Sequence, residues 1–160
     1  AEHAEHRLEP CLVEAAVAML DEHEVRIVRQ WGELVDELRV PRARERGDPR
    51  ALLRVPPDAP FFADHFPRRP VFPGTLLMHA NLQTAAWLAA GAPAGDGAMW
   101  IARSVSDVKL RTFIPPGEAL SMEAKRIDFS ATSLSVAVES RIDQRLAGSA
   151  EIQFVPELNS

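Results

Sequence analysis

The segment from Gly74 to about Ala90 constrains the fold of this chain more than any other. It begins after Pro73, stops at Gly91 and Pro93, and is rich in Leu and Ala, which is the punctuation and composition of a helix. Its apolar residues run nearly all the way round, so the helix cannot lie on a surface and must be enclosed by the rest of the structure. Thr75, His79 and Gln83 interrupt the apolar cover at four-residue spacing and fall on one face. A polar stripe on a buried helix needs partners or a function, because each unsatisfied polar group costs about 1–3 kcal/mol.

Cover for such a helix is written in the C-terminal third. Leu120, Met122 and Ala124 alternate with polar positions, as do Leu134, Val136 and Val138, and then Ala150, Ile152 and Phe154. Turn signals at Pro115-Pro116-Gly117, at 130–133 and at Asp143-Gln144 separate these runs. One long buried helix followed by a meander of strands predicts an α+β fold, with an antiparallel sheet wrapped around the helix. Upstream, residues 51–55 read as a short strand ending at Pro56-Pro57, and 41–50 as a charged loop. Residues 10–22 have helical spacing behind Pro10. Residues 25–40 fit a helix through Ile27, Trp31, Leu34, Val35 and Leu38, yet 34–40 also fit a first strand.

At 160 residues one domain is expected, large enough for a core without disulfides or metal. A net charge of −5 argues against nucleic acid and anionic membrane as partners, and no apolar run approaches the roughly 18 residues of a membrane helix. Cys11 is the lone cysteine, and the first ten residues lack the basic flank and apolar core of a signal peptide, so a cytoplasmic protein is expected. The chain starts on Ala1, as a processed or excised piece would.

The residues leading into the helix carry the chemistry. Phe61-Phe62-Ala63-Asp64-His65-Phe66-Pro67-Arg68-Arg69-Pro70-Val71-Phe72-Pro73-Gly74 puts a histidine in a proline-rich turn and a glycine at a helix start. His79 follows about one turn into the helix, and together these are the parts of an acid/base site built around a helix N-terminus. This pattern resembles the signature of the bacterial 3-hydroxyacyl-ACP dehydratases of the hotdog fold. The resemblance rests on Phe61-Phe62, His65-Phe66-Pro67, Pro70, Pro73-Gly74, position 79 and Gln83, and more weakly on Val108-Lys109-Leu110, on Pro116-Gly117-Glu118 and on Leu34-Val35-Asp36. It covers roughly residues 34–155 and implies a single hotdog domain over 34–160 behind an N-terminal helical extension over 1–33.

That resemblance implies removal of water from a 3-hydroxyacyl chain held as a thioester on the phosphopantetheine of an acyl carrier protein, with no cofactor and no metal. His65 would take the proton beside the thioester, a role suited to neutral imidazole. The Gly74 N–H, at the positive end of the helix, would receive the thioester oxygen as charge develops. Phe66, Pro73 and Gln83 would line the substrate. The family carries Glu or Asp fourteen residues after the histidine, where this chain has His79, and Asp64 stands where the family commonly has glycine. His79 is then either a working acid or a hydrogen-bonded packing residue, and Gln83 either a ligand or a structural amide. Two histidines facing one apolar pocket disfavour each other's protonated forms, and burial acts in the same direction.

Family sites are composite across a dimer, so homodimer and heterodimer with a related hotdog subunit are both open. The alternative reading is a degenerate, non-catalytic subunit that binds acyl chain or carrier protein and completes a partner's site. Hotdog thioesterase and enoyl isomerase stand behind it. Zinc on His65, His79 and Asp64 lacks a recognisable ligand spacing, and no Gly-rich phosphate loop occurs. Arg68 and Arg69 are either a steering patch for an acidic carrier protein or a solvated surface.

Overall fold

The structure is a computed structural model and describes residues 50–95 and 97–158. The expected helix at 10–22, the two-way segment 25–40 and nearly all of the charged loop at 41–50 lie outside the described residues.

β1, Arg50–Arg54, begins one residue earlier than its sequence signal and alternates exposed Arg50, Leu52 and Arg54 with buried Ala51 and Leu53. Pro56 and Pro57 end it, since proline cannot donate to a ladder. A 3-10 turn, Pro60–Ala63, then turns Phe61 and Phe62 into the core, where Phe61 meets Phe62 at 4.6 Å and Phe72 at 6.2 Å between ring centroids. The helix α1 spans Gly74–Ala90, between Pro73 and Gly91, as its composition predicts.

β2 (Ala98–Leu110), β3 (Ala119–Phe129), β4 (Leu134–Ile142) and β5 (Arg145–Leu158) complete one antiparallel sheet of order β1-β3-β4-β5-β2. Every strand touches α1, so the sheet provides the enclosure that the apolar helix demands. The three alternating runs of the C-terminal third all point inward and are buried. The expected turns hold: the Ser130 N–H donates to the Ser133 carbonyl at 2.8 Å, and Asp143 takes φ 53° between β4 and β5.

β2 is longer than Val108-Lys109-Leu110 suggested. Arg103, Ser104, Ser106 and Asp107 hide its alternation, and two register shifts against β5 rotate its later residues outward. It ends the sheet order, and Val105, Val108 and Leu110 lie exposed along it. Two buried polar residues on α1 also went unread. Asn81 accepts the Ser140 hydroxyl at 2.5 Å, and Thr84 donates to the Ala80 carbonyl at 2.9 Å.

Gly148 on β5 lets the sheet close on α1. A Cβ there would lie 2.9 Å from Leu77 Cδ2 and 3.1 Å from the Lys109 carbonyl oxygen, and Leu77 is itself fully buried. Gly148→Ala should cost about 1–3 kcal/mol by overpacking. Gly91→Ala, whose nearest atom would lie 3.6 Å away, should stay within about 0.5 kcal/mol. Urea unfolding of the two variants beside wild type checks the contrast.

Candidate active site

The turn that leads into α1 is built by the backbone. The N–H groups of Asp64 and His65 both donate to the Phe61 carbonyl, at 3.2 and 2.9 Å, so the buried Phe61 anchors the turn's start. The peptide bond between His65 and Phe66 is cis. The Val71 N–H donates to the His65 carbonyl at 3.0 Å, and the Val71 carbonyl faces His65 Nδ1 at 2.9 Å. A carbonyl only accepts, so Nδ1 carries a ring proton, and in the neutral tautomer the lone pair is then on Nε2. The ring is half-buried, and the exposed Phe66 stacks on it at 4.4 Å and 25°. The Phe72 N–H donates to the Ile114 carbonyl at 2.7 Å and ties the turn to the loop between β2 and β3.

Pro73 is the N-cap of α1, with its carbonyl accepting from Leu76 and Leu77 at 3.1 and 3.2 Å and no side chain capping the end. Gly74 is therefore the first helical residue, and its N–H has no intrahelical acceptor, at the end where the helix dipole is positive. A Cβ on Gly74 would lie 2.6 Å from Leu110 Cδ1. The glycine thus allows β2 to press against the helix start.

His79 is buried on α1, and the Gln83 amide nitrogen lies 3.1 Å from its Nε2. An amide N–H donates, so Nε2 accepts and the proton sits on Nδ1, which is buried with no partner among the described residues. Burial pushes the imidazole below its ordinary value of 6.5, because desolvation penalises the cation.

The chain thus brings His65, Phe66, Pro73 and Gly74 to one end of α1 and holds His79 with Gln83 further along it. No hydrogen bond or ring contact joins the two histidines among the described residues. Arg68 and Arg69 lie exposed in the turn, and Arg69 Cζ is 5.4 Å from the Phe113 ring centroid. No three His, Cys, Asp or Glu gather as metal ligands among the described residues. Sequence reasoning missed three contributors to the site. The Val71 carbonyl is a backbone group with no sequence signal; Leu110 ends a strand whose second half mixes apolar and polar residues without a clear period; Phe113 is a lone aromatic in a loop, and that isolation was its only signal.

A ring whose folded pKa lies below its unfolded value binds fewer protons in the folded state. Its contribution to stability is whole above pH 6.5 and is lost as pH falls from there toward the lowered folded value. Wild type should therefore lose stability between about pH 7 and about pH 5 more steeply than His79→Gln, by up to about 1.4 kcal/mol per pH unit. Parallel curves in denaturant titrations would refute this.

Compared with known proteins, the chain matches the FabA-like domain model over residues 33–148. The 3-hydroxyacyl-(acyl-carrier-protein) dehydratase FabZ of Streptococcus thermophilus is 35% identical to it over 104 residues, covering 65% of this chain and 74% of that one. The FabZ of Streptococcus pneumoniae is 34% identical over the same shares. Among solved structures, a thioesterase from Haemophilus influenzae superposes with a TM-score of 0.61 at 12% identity, covering 78% of this chain and 82% of that one. The dehydratase heterocomplex ApeI:P from Xenorhabdus doucetiae gives 0.52 at 22% identity, covering 69% and 89%. At such identities the solved structures establish the fold alone.

Proposed function

Because the chain belongs to the FabA-like family and has its hotdog fold, an antiparallel sheet around one long helix, we propose that it works as a 3-hydroxyacyl-acyl-carrier-protein dehydratase. The observation that carries this reading is the 2.9 Å contact between His65 Nδ1 and the Val71 carbonyl. With Nδ1–H committed to the Val71 carbonyl, Nε2 is a ready proton acceptor on a ring that cannot turn freely.

In the proposed reaction Nε2 removes the proton from the carbon beside the thioester. The electron pair forms the new C=C bond, the C–O bond at the third carbon breaks, and the departing hydroxyl takes a proton from the side chain at position 79 to leave as water. The Gly74 N–H steadies the negative charge on the thioester oxygen, since nothing in the helix competes for it. Phe66, Pro73 and Gln83 contact the acyl chain and thioester. His79 occupies the place from which the family's carboxylic acid serves the leaving hydroxyl.

A second reading is favoured by His79 itself. A buried imidazole held neutral is a poor acid, so the chain would instead supply His65 and Gly74 to a site whose carboxylate comes from a related subunit. β2 suits either dimer, because an edge with Val105, Val108 and Leu110 exposed invites another strand. In both readings the acyl group arrives on an acidic carrier protein, with Arg68 and Arg69 steering it in.

Wild type and His79→Glu should be compared on a 3-hydroxyacyl thioester, with circular dichroism to show that both fold. A gain in the Glu variant makes position 79 the missing acid and favours the partnered reading; fast wild type and a slower variant make His79 a working acid. In any active form His65→Ala should lose about 10²–10⁴-fold in rate, and retention of activity would sink the dehydratase reading. Replacing Arg68 and Arg69 by Glu should raise KM for a carrier-protein substrate well above any change for an N-acetylcysteamine thioester. Equal losses on both would end the steering idea.

A further inference from the structure

Arg69 and Phe113 come from two loops that meet beside His65, and the chemistry of water removal makes no use of their contact. Arg69 is held in the turn by its own N–H on the Phe66 carbonyl at 3.0 Å, and Phe113 lies between β2 and β3. The bond from the Phe72 N–H to the Ile114 carbonyl, 2.7 Å, sets the spacing of the two loops. Across that spacing the guanidinium carbon sits 5.4 Å from the Phe113 ring centroid, within cation–π range.

Phe113 is 65% exposed, so its ring holds a surface arginine in place and contributes little to the core. Among the described residues no carboxylate makes an ion pair with Arg68, Arg69 or Arg111; the ion pairs of the sheet lie elsewhere, at Arg50, Lys109, Lys125 and Arg141. On a chain of net charge −5, a guanidinium with an aromatic partner and no acidic one is set to receive an anion. Phe66 and Leu110 are also exposed, and Leu110 reaches over Gly74. A ligand fitting these groups is anionic at one end and apolar along its length.

Resting on the acyl-thioester reading of the site, we propose that Arg69 and Phe113 form the subsite for the phosphate end of a carrier protein's pantetheine arm. The guanidinium hydrogen-bonds the phosphate oxygens in its planar fork, and the Phe113 ring packs along the branched apolar carbons next to that phosphate. Phe113 also pre-orders the guanidinium, so that less side-chain freedom is lost on binding. The contact is specific to the arm, and thus separate from general steering by basic charge.

Calorimetry of the folded chain with unreactive acyl thioethers tests this without needing turnover. The probes share one acyl chain and differ only beyond it: pantetheine, 4′-phosphopantetheine, and 4′-phosphopantetheine on a carrier protein. Wild type should bind the phosphorylated small probe roughly tenfold more tightly than the unphosphorylated one, as one charge-assisted contact warrants. Arg69→Ala should bring that ratio to about one, Arg69→Lys should keep part of it, and Phe113→Leu should reduce it. Arg145→Ala, an exposed cation at the β4–β5 turn, serves as the control that keeps the full ratio. The same ratio between the carrier-bound and unphosphorylated probes, lost in Arg69→Ala, upholds the carrier arm as occupant. No phosphate preference in wild type, or one that survives Arg69→Ala, overturns the subsite. A chain that shows the preference yet never dehydrates loses the reaction and keeps the subsite. The converse result loses the subsite alone.

Discussion

The helix Gly74–Ala90 has no polar face broad enough to meet water, and most of this structure follows from covering it. Leu76, Leu77, Ala80, Leu82, Ala85, Ala86 and Ala89 are buried on several sides of the rod, which no single packing partner could achieve. A sheet that curves around the helix can, and the twist natural to antiparallel strands provides the curvature. Small residues keep the two layers close: Gly148 admits Leu77, and Gly74 admits Leu110. Burial of this helix also places its bare N-terminus beside a turn anchored by Phe61 and Phe72, so the candidate base and the candidate oxyanion donor rest on rigid elements.

The same enclosure acts on the polar stripe. Thr75 and Gln83 stay half-buried, whereas His79 between them is shut away from water and kept neutral by its desolvation. His65 lies in a turn, and a backbone carbonyl selects its protonated nitrogen. Two residues of one type thus meet different demands within one chain. A lone pair held in a fixed direction suits proton removal, whereas a buried imidazole whose cation is penalised by desolvation is a weaker acid than a carboxylic acid in its place.

Legibility of the fold followed side-chain pattern. The inward stripes on β3, β4 and β5 could be read because their alternating residues face one core, and a one-residue slip would have exposed them. The helix limits were marked by Pro73 and Gly91. β2 was mostly hidden because its second half faces outward and its register shifts break the period on which such reading depends. The Asn81–Ser140 bond was invisible for another reason: two polar residues 59 positions apart give no local sign that each is the other's partner. For the site, His65, Gly74, His79 and Gln83 were marked by motif and spacing. Val71 and Ile114 act through main-chain atoms, which the identity of a residue does not encode.

What the sequence by itself determined is which residues must be inside and where the chain must turn, since hydrophobic period, proline and glycine act locally on every chain that contains them. It therefore fixed the helix, the three inward stripes and the family pattern around His65. The tertiary structure alone decided which nitrogen of His65 faces outward, that His79 is dry and paired with Gln83, and that Arg69 meets Phe113 across two loops. These depend on distances between atoms remote along the chain and on the dielectric around them, and both exist only once the sheet has closed on the helix.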